Sequence, residues 1–372
     1  MKGIFMRIKK YIAEVLCLVM IFALAACNTA PNSGGQSSNK TENSATNSQS
    51  QIFGNSSTTS GVSASTDSEV STSSDTDNSP STYPTDTVPA VFMTTDISSE
   101  GMMAVYKALK WAPEGRVAVK LSTGEPPASN YLRPELIADV VHEVNGTIVE
   151  CNTAYGGSRA ETAMHYQVAK DHGFTEIADF QILDENGSMS LPVTGGTRLR
   201  ENFVGAAFAN YDSYLILSHF KGHAMAGYGG AIKNISIGLG SSEGKSWIHT
   251  GGRSKSGIYG DQDAFLEAMG EAGKSVVDAL DGQIAYISVM NRLSVDCDCS
   301  GNPAEPDMHD IGILASYDPV ALDQACIDLI YNAPDSGSLV NRIESRNGLH
   351  TLQHAEEIGL GSREYQLVSI DD

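Results

Sequence analysis

The sequence predicts an α/β fold: an open, mostly parallel, Rossmann-like sheet with helices on both faces. Between residues 116 and 183, short apolar runs alternate with stretches of helical period in the order strand, helix, strand, helix, strand. That alternation marks a parallel sheet with right-handed crossovers. Further along, residues 214–218 (YLILS) and 284–290 (IAYISVM) are largely apolar runs that read as core strands, with a helical stretch between them.

Taken in order, 116–121 (RVAVKL) is the first buried strand. Pro134 then sits where a first helical turn tolerates it, and Leu136, Ile137, Val140, Val141 and Val144 form a stripe at helical spacing. Asn145-Gly146 stops that helix, and 147–151 (TIVEC) is the next strand. Ser158 with Glu161 reads as a capping box for a helix that runs to about His172 and ends at Gly173. Residues 180–183 supply a third strand. In the second half, Phe265, Met269, Val276 and Leu280 mark one face of a helix over 263–280, and 311–315 is another strand. Asp318-Pro319 forms an N-cap and N1 pair for a helix to about Tyr331. A last helix over 349–358 stops at Gly359, and 365–370 reads as an edge strand. There is no internal repeat.

Ahead of this domain, Lys2, Arg7, Lys9 and Lys10 precede an apolar stretch over 11–26, the charged-then-apolar order of a secretory signal. The stretch is too short for a comfortable membrane span. It ends in Leu24-Ala25-Ala26-Cys27, which resembles the lipobox of bacterial lipoproteins. The expectation is a signal peptide over 1–26, a lipid on Cys27 that holds the chain in the bilayer, and a location on the extracytoplasmic face of the cell membrane. An ordinary signal peptide cut nearby, with Cys27 a bystander, is the competing reading. Residues 27–90 are mostly Ser, Thr, Asn, Gly and Asp and offer little to bury, so they read as a disordered tether. A random coil of roughly 60 residues reaches on the order of 40–50 Å. Residues 91–372 then form the globular domain.

The formal net charge is -21, which argues against nucleic acid or an anionic membrane surface as partner, because both are bound through Lys and Arg. Beyond Cys17 and Cys27 the cysteines are Cys151, Cys297, Cys299 and Cys326. Outside the cytoplasm these can form disulfides, but Cys297 and Cys299 are separated by one residue and a bridge between them would be strained. Metal ligation is the competing use.

In an open parallel sheet, ligands bind beyond the carboxyl ends of the strands, and the chemically loaded segments of this chain fall there. They are 122–125, 152–159, His219-Phe220-Lys221-Gly222-His223 with the glycine-rich run after it, and Asp296-Cys297-Asp298-Cys299. One composite cleft is expected. If 296–299 is extended, Cys297 and Cys299 share one side and the two carboxylates the other. Two thiolates make half of a soft-metal site, and His219 and His223 are candidates for the other half, as zinc or iron would suit. Disulfides to Cys151 or Cys326, or free thiols, are the alternatives. Lys221, Lys233, Asn234 and Lys245 lie in the glycine-rich run and could hold an anionic group, against the plainer reading of a flexible loop with solvated lysines. Arg159, near a helix start, is a further anion contact. Residues 240–246 imitate a phosphate-binding loop, but Leu239 stands where its first glycine should be. His350 and His354 share a helix face and read as surface or packing residues rather than ligands. There is no G-x-S-x-G, H-E-x-x-H or EF-hand pattern, so common hydrolase and calcium readings have no support.

From Val117 onward the chain resembles the domain of unknown function 362 family, whose members are often labelled iron-sulfur centre proteins. The resemblance rests on IVECNTAYGGSRAET with KDHGF, on HFKGHAMAGYGGAIKNISIGLGS, and on DCDC followed by DIGILASYDPVALDQACIDLI. It implies an association with iron-sulfur or redox chemistry. Many members carry a ferredoxin-like insert with C-x2-C-x2-C-x3-C spacing, which this chain lacks. The expectation is therefore a metal ion, an iron-sulfur cluster or zinc at Cys297 and Cys299 with His219 or His223. Lys221, Lys233, Asn234 and Arg159 would fix a small anionic molecule. The reaction would be metal-dependent or redox-linked; a tethered binding protein that captures a metal or ligand, and a structural scaffold, are the rivals.

Overall fold

The computed structural model describes residues 88–371. The signal sequence, Cys27 and nearly all of the tether therefore lie outside the described residues. Twelve strands are present among these: β1 (Ala90–Thr94), β2 (Val117–Lys120), β3 (Thr147–Glu150), β4 (Phe180–Ile182), β5 (Ser188–Pro192), β6 (Glu201–Gly205), β7 (Ser213–His219), β8 (Lys221–His223), β9 (Gly227–Gly229), β10 (Ile284–Met290), β11 (Gly312–Ser316) and β12 (Gln366–Ser369). The longer helices are α1 (Ser99–Leu109), α2 (Pro134–Glu143), α3 (Thr162–Asp171), α4 (Ser242–His249), α5 (Gln262–Leu280), α6 (Pro319–Asn332), α7 (Gly337–Ser345) and α8 (His350–Glu357).

Eight strands form one sheet in the order β12-β1-β11-β10-β7-β2-β3-β4. It is mostly parallel: β11 runs antiparallel to both its neighbours, and every other pairing is parallel. The two central strands are buried at every position, which is why their sequences read as apolar runs instead of alternating ones. Successive side chains still point to opposite faces. Leu215 and Leu217 join the core under α1 and α2, whereas Tyr214 and Ile216 join the core under α6 and the end of α5. Helices thus cover both faces, as expected.

From β2 the chain moves outward through β3 to β4, then returns to place β7 on the other side of β2 and β10 beyond it. The order reverses between β2 and β7. At such a switch point the loops leave in opposite directions and open a crevice at the carboxyl ends.

Two local expectations are corrected. Ser158 and Glu161 do not cap a helix together: α3 starts only at Thr162, with Glu161 as an N-cap that makes no side-chain hydrogen bond. The Ser158 N–H is taken by Glu125 Oε1 at 2.5 Å and Arg159 Nε by Glu125 Oε2 at 3.2 Å, so two buried charges draw residues 154–160 into a loop. Residues 296–299 are not extended either; they lie in a bend and turn. Asp298 is buried, while Asp296 pairs with Arg342 Nη1 at 3.3 Å, so the two carboxylates have separate partners.

Candidate functional site

Beyond the β2–β7 crevice lies a cavity of about 110 Å³. That is somewhat less than the roughly 150 Å³ that accommodates benzene in an engineered core, so it suits a molecule of a few heavy atoms. Its wall draws Lys120 from β2, Glu150 from β3, and Leu217, Ser218 and His219 from β7, together with the loops that follow them. Every residue expected to bind metal or anion is in that wall: Arg159, His219, Lys221, His223, Lys233, Asn234, Cys297 and Cys299. The loop of Cys297 is brought there by backbone contact: Gly222 N–H donates to Ser294 O at 2.8 Å, and a Cβ on Gly222 would meet Val295 O at 2.4 Å. Only glycine lets β8 approach so closely.

The sulfurs of Cys297 and Cys299 are joined as a disulfide with Cα atoms 5.2 Å apart. One intervening residue is expected to strain such a bridge; here the turn at 298–299 brings the two side chains to one side. Cys151 and Cys326 are free and buried, so neither forms the disulfide considered for it. Burial pushes the Cys151 thiol up to about 12, and its Sγ donates to Leu239 O at 3.3 Å. His223, Cys297 and Cys299 each offer a ligand atom, all within 4.8 Å of one another, and this group could hold a metal ion.

His219 does not belong to that group. Its Nδ1 lies 2.9 Å from Asp298 Oδ1 and its Nε2 2.7 Å from Asn291 O. Both ring nitrogens are directed at oxygen acceptors, so neither points toward the group formed by His223, Cys297 and Cys299. His223 differs: its Nδ1 accepts the N–H groups of Met225 at 3.2 Å and Ala226 at 2.9 Å. Burial, with Lys233 nearby, holds its pKa well below the usual imidazole value, so the ring is neutral with its proton on Nε2. A cluster needs four thiolates in the absence of other ligands, and the described residues do not assemble them.

The charged side chains form an ordered wall. Lys120, 1% exposed, donates to Leu121 O at 2.6 Å, Glu150 Oε2 at 3.0 Å and Asn234 Oδ1 at 3.0 Å, so all three of its protons are engaged. Burial would raise Glu150, but the charges of Lys120, His165, Arg159 and Lys245 outweigh it and hold the carboxyl down to about 2. Asn234 Nδ2 donates to Leu217 O at 3.0 Å and Ser218 Oγ at 3.1 Å. Its amide thus ties β2 to β7 at the switch point. Arg159 is held by Glu125, Glu150 and Tyr155. Lys221 pairs with Asp298; burial would raise that carboxyl too, yet Lys221 and His219 keep it well below the carboxylate range. Lys245 Nζ donates to Gly240 O at 2.6 Å. Lys233 alone among these amines has neither ion pair nor hydrogen bond on Nζ among the described residues. Burial, then the neighbouring charges of Lys221 and Lys120, lower its pKa to about 7, with Asp298 opposing. Five basic side chains (Lys120, Arg159, Lys221, Lys233, Lys245) thus face two carboxylates (Glu150, Asp298) in the lining, a surplus of positive charge that favours an anion even with Lys233 partly neutral.

Sequence reasoning did not single out Lys120, Glu150 or His249, and it placed Asp298 only as a carboxylate opposite the sulfurs, not as the partner of Lys221 and His219. His249, with Nδ1 2.7 Å from Lys245 O, is held by burial at a pKa of about 4. Lys120 and Glu150 do carry a signal, since each closes an otherwise apolar strand where a charge is costly unless paired. His350 and His354 are not in the wall; they bond Glu267 and Glu271 of α5 at 3.0 and 3.1 Å.

No curated protein matches the chain. Two solved structures are similar to it at 12% identity. The lactate racemase apoprotein from Thermoanaerobacterium thermosaccharolyticum superposes with a TM-score of 0.39, covering 77% of this chain and 84% of its own. A protein from Thermotoga maritima gives 0.37, covering 62% of this chain and 57% of its own. The family model described as domain of unknown function (DUF362) matches residues 117–328, the segment that contains β2 through most of α6 and every residue of the cavity wall. The chain belongs to that family.

Proposed function

We propose that this protein is a membrane-tethered lipoprotein of the extracytoplasmic face whose domain takes a small anionic molecule into the cavity and acts on it through Cys297 and Cys299. The observation that carries this reading is the joining of a sulfur pair and a neutral imidazole to a small cavity whose lining has three more basic side chains than carboxylates. Thiol–disulfide chemistry is the leading form. Opening the bridge takes up two electrons and two protons from a dithiol donor, which is itself oxidised to a disulfide, and the cationic wall favours release of one of those protons to leave a thiolate.

Single-ion binding is the second form, favoured by the 4.8 Å grouping. In the dithiol state both thiolates and His223 fit a soft divalent ion such as zinc. His223 would then have to give up its proton on Nε2, or its two backbone donors. An iron-sulfur cluster fits less well, with only one sulfur pair at the wall.

The test combines three measurements on the full chain: peptide mapping of the Cys297–Cys299 bridge across a redox titration, metal content after anaerobic reduction, and calorimetry with oxalate and phosphate. The expected result is a two-electron transition lost in Cys297→Ser/Cys299→Ser, with measurable binding of at least one anion. A pair that neither bridges nor binds metal, in a protein that binds neither anion, overturns the reading.

A further inference from the structure

We propose that Lys233 is a nucleophilic amine that condenses reversibly with the carbonyl of a small oxo-acid held in the cavity. This rests on the anion-binding reading above and deepens it by naming a ligand class. Four cationic side chains surround the cavity with Lys233, and each of the four has an acceptor: Lys120 has Glu150 and Asn234, Arg159 has Glu125 and Glu150, Lys221 has Asp298, and Lys245 has Gly240 O. Lys233 Nζ has none among the described residues, although it lines the same cavity. A lysine that only anchored the fold would be bonded as the others are.

The position of Lys233 is fixed from behind. It ends a short helical turn (Ala231–Lys233) that runs into a π-helical turn (Asn234–Gly238), the kind of irregular turn found at functional sites. The start of that turn is held by Asp323 of α6, whose Oδ1 and Oδ2 accept the N–H groups of Ala231 at 2.7 Å and Ile232 at 3.0 Å. The backbone is therefore anchored while the amine is unpaired. An amine desolvated beside other cations is the environment that activates lysine for attack on carbonyls. With the pKa lowered to about 7, about half of Lys233 is the free base at neutral pH, against roughly one part in a few thousand for an ordinary lysine.

In the condensation the Lys233 nitrogen forms a bond to the carbonyl carbon. The carbonyl oxygen leaves as water with two protons, and no oxidant or reductant is consumed. The carboxylate of the oxo-acid meets the remaining positive charge, and the size of the cavity restricts the ligand to a few carbons.

Glyoxylate is the probe. With cyanoborohydride at pH 7 the imine is trapped as N-carboxymethyl-lysine, located by peptide mass mapping of the full chain, while glycolate, which has the carboxylate but no carbonyl, serves as competitor. The expected result is labelling of Lys233 at least about tenfold faster than the exposed Lys107 and Lys110, levelling off above pH 7 and slowed by glycolate, with no cavity label in Lys233→Arg. Binding of glycolate by calorimetry without faster labelling at Lys233 overturns this inference and leaves the anion site standing. Absence of both binding and labelling overturns the two together.

Discussion

Single residues in the cavity wall carry consequences out of proportion to their number, because each buried charge is supported by a named partner. Asp298 is 2% exposed and is the carboxylate for both Lys221 and His219. Asp298→Asn leaves two buried donors without a counter-charge, and such broken buried pairs cost about 3–5 kcal/mol. Chemical denaturation of wild type and variant measures the difference; a loss under about 1 kcal/mol would mean that water already solvates the pair. Cys151 gives a second expectation at this scale. With its thiol pushed up to about 12 by burial, it stays protonated at neutral pH and should resist iodoacetamide in the native protein. After reduction, Cys297 and Cys299 should alkylate first, and mass mapping reads the order directly.

At the scale of elements, the long helix α5 acts as a post to which other segments are fastened. Glu271 on it is fully buried and accepts the N–H groups of Thr197, Arg198 and Leu199, the Thr197 hydroxyl, and His354 of α8. Burial would raise its pKa, but His354 and those backbone donors outweigh burial and bring it down to about 2 from 4.5. A depressed folded pKa means that the stabilisation is complete above about 4.5 and declines as pH falls toward 2. Glu271→Gln should flatten the acid limb of a stability-against-pH curve and lower stability at pH 7 by about 2–3 kcal/mol; an unchanged acid limb would place the acid sensitivity elsewhere. The far end of the same helix holds Asp281 at φ 44, followed by Gly282. A left-handed backbone without glycine and an acid at a helix C-terminus are both unfavourable. Asp281→Gly should therefore raise stability by about 0.5–1 kcal/mol, seen as a higher thermal midpoint.

At the scale of the whole molecule, the acidic chain, formal net charge -21, contains a cavity of the opposite sign. An acidic exterior keeps the domain soluble, while the cation-rich wall concentrates small anions at one place. The sequence-based proposal that Cys27 carries a lipid has a direct consequence here. Cys27→Ser should move the protein from the membrane fraction to the soluble one, with the domain still folded by circular dichroism. Retention of the variant in the membrane would require another anchor.

Local patterns made much of this fold legible. Residues 116–121, 147–151, 214–218 and 284–290 declared their strands because continuous apolar runs have few other uses, and Asp318-Pro319 declared the start of α6 by its capping chemistry. The candidate site was legible as a list of loops at strand ends, since the parallel topology alone sends those loops to one edge. What the sequence could not supply is who faces whom. That His219 is engaged on both nitrogens depends on Asn291 and Asp298, more than 70 positions away along the chain, whereas His223 is held by its near neighbours Met225 and Ala226. The turn that joins Cys297 to Cys299 depends on the surroundings of Asp298, and Ser158 loses its helix to Glu125, 33 positions away. Composition and period determined the sheet, the helices and the edge that carries function. Only the tertiary structure decided which polar groups pair and which amine is left without a partner, because the cost of burying a charge is set by the neighbours that the whole fold brings to it.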